Sequence, residues 1–249
     1  MKILNLNQFN EKLKIVPLSD DDFDNISPDL PDEDFDKISQ DMYNYYPETK
    51  KELEFIIEKR IKYEGKECDL NDIDTSKITD MSELFYGSEF FNGDISQWDV
   101  SNVTDMSSMF FRAYSFNGDI SKWNVSNVAN MSNMVLYAKS FNQDISQWNV
   151  SNVTDMYAMF EYAESFNRDI SKWDVSKVTD MHDMFDNAKS FNQNISRWDV
   201  SNVIDMNSMF SDAKSFKKDI SRWKVSDVAD ICHMFDGCPL KNNPPSWYK

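Results

Sequence analysis

The side chains of this 249-residue chain that could do chemistry are two histidines, three cysteines and a crowd of aspartates. General acid–base work needs a histidine or a raised carboxyl held against its partner. His182 and His233 instead fall in different repeats, at positions that read as the outer side of a helix. Cys232, His233 and Cys238 invite a zinc reading, but no C-x-x-C and no fourth ligand accompany them. The two cysteines share columns with Ser107 and Ala113, so they read as small, buried or half-buried residues. Asp20, Asp22 and Asp24, then Asp32, Asp34 and Asp36, alternate like the start of a calcium loop. The sixth-position glycine is missing from both, and Pro31 and Tyr43 stand where a bidentate glutamate belongs. No phosphate loop, dinucleotide fingerprint or nucleophile elbow occurs. The expectation is a protein with no catalytic residues, no metal and no cofactor; a hydrolase or metal enzyme would need a constellation that the sequence does not offer.

What must position any site is a repeat of 25 residues. Phe91, Phe116, Phe141, Phe166, Phe191 and Phe216 form one column, and Trp98, Trp123, Trp148, Trp173, Trp198 and Trp223 another. Ile95, Val100, Val103, Met106, Met109 and Phe110 head further columns. Identical side chains in successive units imply identical environments, so these ladders are expected to be core. The Ser96 and Ser101 columns are polar and equally regular, and the Asp94 and Asn92 columns nearly so, broken by Asn194 and by Lys217. They are expected to satisfy backbone groups at the corners of each unit rather than to hold a row of calcium ions.

Within a unit, "DISQWDVSNV" matches the L-x-x-L-x-L spacing of a leucine-rich repeat and predicts a short strand near 97–101. "TDMSSMFFRAYSF" spaces Met106, Met109, Phe110 and Ala113 by three and four, predicting a short helix with Thr104 or Asp105 as its N-cap. The expected fold is therefore α/β: a leucine-rich-repeat-like solenoid of about seven turns, with a parallel sheet on one side and short helices on the other. At about 4.8 Å per turn its sheet would be ~34 Å long. Four segments follow: an acidic stretch over 1–46, an N-terminal capping helix over 47–67, the repeats over 68–238, and a C-terminal cap over 239–249. Leu53, Phe55, Ile56, Ile57 and Ile61 suit a helix that covers the first turn, and Pro239, Pro244 and Pro245 stop the array, with Trp247 and Tyr248 folding back over it.

The formal charge of -17 argues against nucleic acid and anionic lipid as partners. Aromatic content excludes a disordered chain, and five glycines are too few for a fold made of glycine turns. No apolar run suggests membrane insertion or a secretory leader, and three sparse cysteines fit a reducing compartment, so a cytoplasmic location is expected. A chain from which a leader had been removed would belong at the cell surface.

The phrase "DLNDIDTSKITDMSELF" followed by repeated "FNGDISQWDVSNVTDMSSMF" resembles the BspA-like leucine-rich repeat family of bacterial and viral proteins, whose 25-residue units are also called PARCEL elements. The likeness extends over about 47–249. It implies a noncatalytic recognition scaffold, often displayed on cell surfaces.

A binding surface follows from alternation. If Ile95, Trp98 and Val100 point inward, positions 97 and 99 point outward. The first column reads Gln97, Lys122, Gln147, Lys172, Arg197, Arg222, and the second Asp99, Asn124, Asn149, Asp174, Asp199, Lys224. This stripe grows basic toward the C-terminal end and is expected to receive an acidic protein surface. The segment with Asp20, Asp22, Phe23, Asp24, Asp32, Asp34, Phe35 and Asp36 is a second candidate, as a competitor for the stripe, a grip on a basic partner or a route to self-association. The expected function is an intracellular protein-binding scaffold with a regulatory or counter-defence role; the alternative is an extracellular adhesin.

Overall fold

A period of 25 places each side chain against its own counterpart in the next unit, and the large flat residues exploit this by stacking. In the computed structural model, which describes residues 45–248, Trp148, Trp173, Trp198 and Trp223 lie parallel at 6.5 Å between ring centres. The Phe91 to Phe216 column stacks at 5.7 to 6.1 Å. Both columns are buried, as are the isoleucine, valine and methionine columns between them up to the last unit, where Val225 is half-buried and Val228 exposed. Each tryptophan also has its indole N–H satisfied by a main-chain carbonyl of the preceding unit, Trp173 Nε1 donating to Ile145 O at 3.1 Å. A buried polar group costs stability unless it is bonded, and the repeat solves that problem once for all units.

The parallel sheet and the repeat helices expected above are absent among the described residues. Units are joined instead by isolated parallel bridges, most of them in one row, Asp80 to Asp105, Asp105 to Asn130, and so on to Asp230, with Tyr45 to Ile73 and Asp69 to Asp94 outside it. The stretch near 97–101 is two turns, because Asp94 and Asp99 fold back on their own backbone: Asp94 Oδ1 accepts from the Ser96 N–H and Asp99 Oδ1 from the Ser101 N–H, both at 2.9 Å. A strand needs those amides for its ladder, and the Asx side chains take them locally.

The predicted helix at 106–113 fails for a different reason. Ser108 and Arg112 sit at φ 55° and 58°, in the left-handed region, four residues apart. Phe111 N–H reaches Ser108 O, while Met106, Ser108, Phe110 and Arg112 send their N–H groups to Asn130, Ser132, Met134 and Leu136 of the next unit at 2.8 to 3.0 Å. A helix would turn those donors inward, to residues four back. Asp105, expected as an N-cap, makes the same kind of Asx turn with Ser107 N–H. The fold is thus made of turns after all, on left-handed residues that are mostly not glycine: Asn133, Tyr137, Ala158, Tyr162, Asp183 and Asn187 repeat the pattern.

The only α-helix among the described residues, α1 (Lys50–Glu64), begins with a capping box between Thr49 and Glu52 and buries Leu53, Ile56 and Ile57. Arg60 pins it to the first unit through Asp72 at 2.8 Å and the carbonyl of Asp69 at 2.7 Å, and is itself steadied by Glu64 of the same helix. At the other end a 3-10 helix, Pro239–Asn242, leads to Trp247, which stacks on Trp223 at 6.2 Å and donates to Ile220 O like every tryptophan before it.

Candidate functional site

Positions 97 and 99 are exposed in every unit from Gln97 to Lys224, with the tryptophan between them buried. The two columns differ in what they do. At 99 the side chain is engaged locally: Asp99, Asn124, Asn149, Asp174 and Asp199 all accept the N–H of the residue two further on. The Ser101, Ser176 and Ser201 hydroxyls, with those N–H groups, hold the aspartates below the usual carboxylate range. Lys224 has no such oxygen. At 97 the glutamines Gln97 and Gln147 touch only their own Ser96 and Ser146 hydroxyls, and Lys122, Lys172, Arg197 and Arg222 form no ion pair among the described residues.

Three lysines on the opposite, turn-built side are neutralised, while Arg112 there forms no ion pair among the described residues. Lys139 and Lys189 both meet Glu164, at 3.3 and 2.9 Å, and Lys214 meets Asp212. Like Arg168, Lys177, Lys217 and Lys218 elsewhere, the cations of the 97 column thus form no ion pair among the described residues, and Asp119, Asp169 and Asp219 lie close beside Lys122, Lys172 and Arg222. At the N-terminal end of the same stripe lies a polar recess of about 200 Å³ lined by Asn71, Asp72, Ile73, Asp74, Thr75, Gln97 and Asp99. The stripe thus runs from acidic to basic along the stack.

The turn side holds a row that the sequence reading passed over. Tyr86 stacks on Phe111 at 4.7 Å, Phe111 meets Tyr137 edge-on at 6.2 Å, and Tyr137 stacks on Tyr162 at 4.5 Å, with Arg112 over Phe111 and Tyr137. Tyr86 is half exposed. The row crosses two adjacent columns, Tyr86, Phe111, Leu136, Glu161, Asp186, Ser211 and Gly87, Arg112, Tyr137, Tyr162, Asn187, Asp212, both of which change character along the stack, unlike the uniform columns that build the core. Where the first of them turns acidic, burial and the nearby Asp183 and Asp186 raise the Glu161 carboxyl to about 7.

The histidines and cysteines do not converge. His182 sits on a turn beside Asp183 at 3.0 Å, and His233, at φ 57°, beside Asp236 at 2.8 Å; neither is helical. Cys232 is exposed, against the expectation of burial, while Cys68 and Cys238 are buried and free, their thiols pushed up to about 11 by that burial. Among the described residues no group of three or more His, Cys, Asp or Glu could hold a metal ion, and no helix is long and apolar enough to cross a membrane. The acidic segment with Asp20, Asp22, Phe23, Asp24, Asp32, Asp34, Phe35 and Asp36 lies outside the described residues.

A family model described as "Mycoplasma protein of unknown function, DUF285" matches twice, over 56–172 and 142–248. The two matches together span most of the chain, which therefore belongs to this family. No curated protein and no solved structure matches it.

Proposed function

From membership of this repeat family, we propose that the chain is a noncatalytic protein-binding repeat scaffold of the BspA-like kind, working inside the cell and holding an acidic protein surface along the exposed 97 column. The observation that carries the reading is the contrast in charge pairing. Lys122, Lys172, Arg197 and Arg222 stand in one row without ion pairs, whereas Lys139, Lys189 and Lys214 are each matched to a carboxylate on the other side. Asp119, Asp169 and Asp219 lie near these cations without forming direct pairs, so the side chains remain open to a carboxylate of a partner. The repeat sets these cations in register, with Gln147 between Lys122 and Lys172.

The test is affinity capture from the source cells with the whole chain, the triple variant Lys172→Gln, Arg197→Gln, Arg222→Gln, and the triple variant Lys139→Gln, Lys189→Gln, Lys214→Gln. A protein partner held by the native chain and the second variant but lost severalfold by the first supports the reading. Equal loss from both, or loss from the turn-side variant alone, removes the 97 column from the site.

A further inference from the structure

We propose that the C-terminal end of the turn ladder is a docking edge for a segment of another protein, which adds there as one more rung through its main-chain carbonyls. The site needs neither the 97 column nor its cations, so it stands apart from the reading above.

The edge follows from how the peptide groups are aligned. Met181, Asp183, Phe185 and Asn187 send their N–H groups to the carbonyls of Asp205, Asn207, Met209 and Ser211 at 2.8 to 3.0 Å. Met206, Ser208, Phe210 and Asp212 in turn send theirs to Asp230, Cys232, Met234 and Asp236. In this ladder the donors of each unit face the C-terminal end and the acceptors the N-terminal end. The last unit therefore closes with four donors in a row, Ile231, His233, Phe235 and Gly237, whose N–H groups bond to nothing among the described residues. The row keeps the shape of the ladder: His233 and Gly237 stand at φ 57° and 66°, where Ser208 and Asp212 stand at 54° and 50° one unit earlier.

The C-terminal cap does not close this edge. Trp247 and Tyr248 cover the rings of Trp223 and Phe235, while His233 and Gly237 are exposed and Ile231 is half-buried. An unpaired edge invites another chain unless the protein blunts it. The opposite edge is blunted, because α1 lies on the first unit and sets Lys50 Nζ against Ser82 Oγ at 2.6 Å. That helix also keeps the first unit of a second copy from stacking on the open row.

Polarity and charge decide what fits. The row offers donors alone, so its occupant must present acceptors alone, at every second residue. Asp230, at the head of the row, has no Lys or Arg partner among the described residues, which favours neutral carbonyls over an anion. A segment in the ladder's own conformation presents such a row, with Asn, Asp, Ser or Gly where φ is positive. Beside the row, Ile204 and Val228 are 58 % and 78 % exposed, and Ile204 O accepts the Asp230 N–H. An aliphatic residue two ahead of the first acceptor, placed as Val203 is before Asp205, covers this apolar rim.

The experiment is amide hydrogen exchange of the full chain, resolved by residue, alone and with a synthetic peptide of residues 203–216. That peptide carries Val203 and the acceptor carbonyls of Asp205, Asn207, Met209 and Ser211. In the chain alone, the Ile231, His233 and Gly237 amides should exchange about a hundredfold faster than those of Met206, Ser208 and Asp212. Peptide at about 1 mM should slow them about tenfold, and a peptide of the same composition in scrambled order should not. Last-row amides already as slow as the row before, at any chain concentration, would mean that the chain covers its own edge. Slowing that grows with chain concentration alone makes a second copy the occupant. Either result overturns the proposal, as does no slowing by the native-sequence peptide or equal slowing by the scrambled one. Substituting the 97-column cations leaves this readout untouched, so the two readings fail separately.

Discussion

The interior units and the last one share their core residues yet differ at one corner. Val103, Val128, Val153, Val178 and Val203 are completely buried, whereas Val228, in the same column, is 78 % exposed. In the interior the Val203 N–H closes a turn onto Val200 O and the Ile204 N–H reaches Thr179 O of the preceding unit. In the last unit both bonds move one residue along: Ala229 closes onto Ser226, and Asp230 reaches Ile204. No residue has been inserted. What has changed are two polar side chains. Asn102, Asn127, Asn152 and Asn202 each donate an amide to a serine carbonyl of the preceding unit, and Asp227 has nothing to donate. Lys224 likewise replaces the Asx residue that would accept the Ser226 N–H. Lys177 replaces the Asn in one interior unit, where Asp174 still accepts the Ser176 N–H and Val178 stays buried; the corner moves in the unit that lacks both residues.

The sharpest way to break the comparison is to remove a ring from each end of it. Trp173 stacks on both Trp148 and Trp198 and is buried, whereas Trp247 has a ring partner in the tryptophan column on one side and is half-buried. Trp173→Ala should cost about 3 to 5 kcal/mol, as large aromatic truncations do, and Trp247→Ala distinctly less. Chemical denaturation with tryptophan fluorescence measures both. Equal costs would show that the stack unfolds as one unit whose ends count as much as its middle.

How much of this could be read beforehand differs between the columns and the elements they build. The buried columns were legible because a strict period repeats the demand for Phe, Trp and Met at each step. The elements were not. Met106, Met109, Phe110 and Ala113 are buried at intervals of three and four in a ladder of turns just as they would be in a helix. The left-handed residues that distinguish the two are Ser108, Asn133 and Asp183 here, without the glycine that usually marks such a position. Asp105 followed by Ser107 has the look of a helix cap and makes the same Asx bond to end a turn. Exposure at 97 and 99 survived the loss of the strand, because turns flanking a buried Trp98 also put its neighbours outside. The aromatic row from Tyr86 to Tyr162 went unread because attention to fixed columns overlooks columns whose character changes along the stack.

A second contrast runs down one column. Glu161, in the interior, has its carboxyl raised to about 7 by burial and by Asp183 and Asp186; Asp236, in the last unit, is held below the usual range by hydrogen bonds from Lys241 and His233. The signs are opposite. Glu161 binds its proton more tightly when folded, so its contribution is complete below the unfolded value of 4.5 and is lost as pH rises through about 7. Asp236 binds its proton less tightly, so its contribution exists above the ordinary aspartate value and is lost as pH falls. A tenfold change in proton affinity is worth about 1.4 kcal/mol, and solvent screening of a half-buried group reduces the Glu161 effect to about 2 kcal/mol. Glu161→Gln should therefore raise stability at pH 8 and leave it nearly unchanged at pH 4.5, whereas Asp236→Asn should lower it at pH 8. Thermal melting across pH 4 to 8 decides it, and parallel curves for the two variants would refute the assignment.

The smallest effects test the cause of the displaced corner. Asn127 Nδ2 donates to Ser101 O at 2.7 Å, and Asn127→Asp would set a carboxylate against that carbonyl. The loss of one exposed hydrogen bond amounts to about 1 kcal/mol, and the corner at Val128 should keep its place, as the corner at Val178 does beside Lys177. The reverse change is the stronger test. Lys224→Asp with Asp227→Asn restores both bonds that interior units make, and burial of a valine adds to them, so the double variant should gain about 1 to 2 kcal/mol. Hydrogen exchange separates this from a general rise in stability: the Val228 amide, now directed at the Ser226 hydroxyl at 3.4 Å, should become protected by bonding to Val225 O. If the double variant is more stable but Val228 stays exposed, the displacement belongs to the C-terminal cap, where Trp247 and Tyr248 crowd Phe235, and the polar columns do not set the corner.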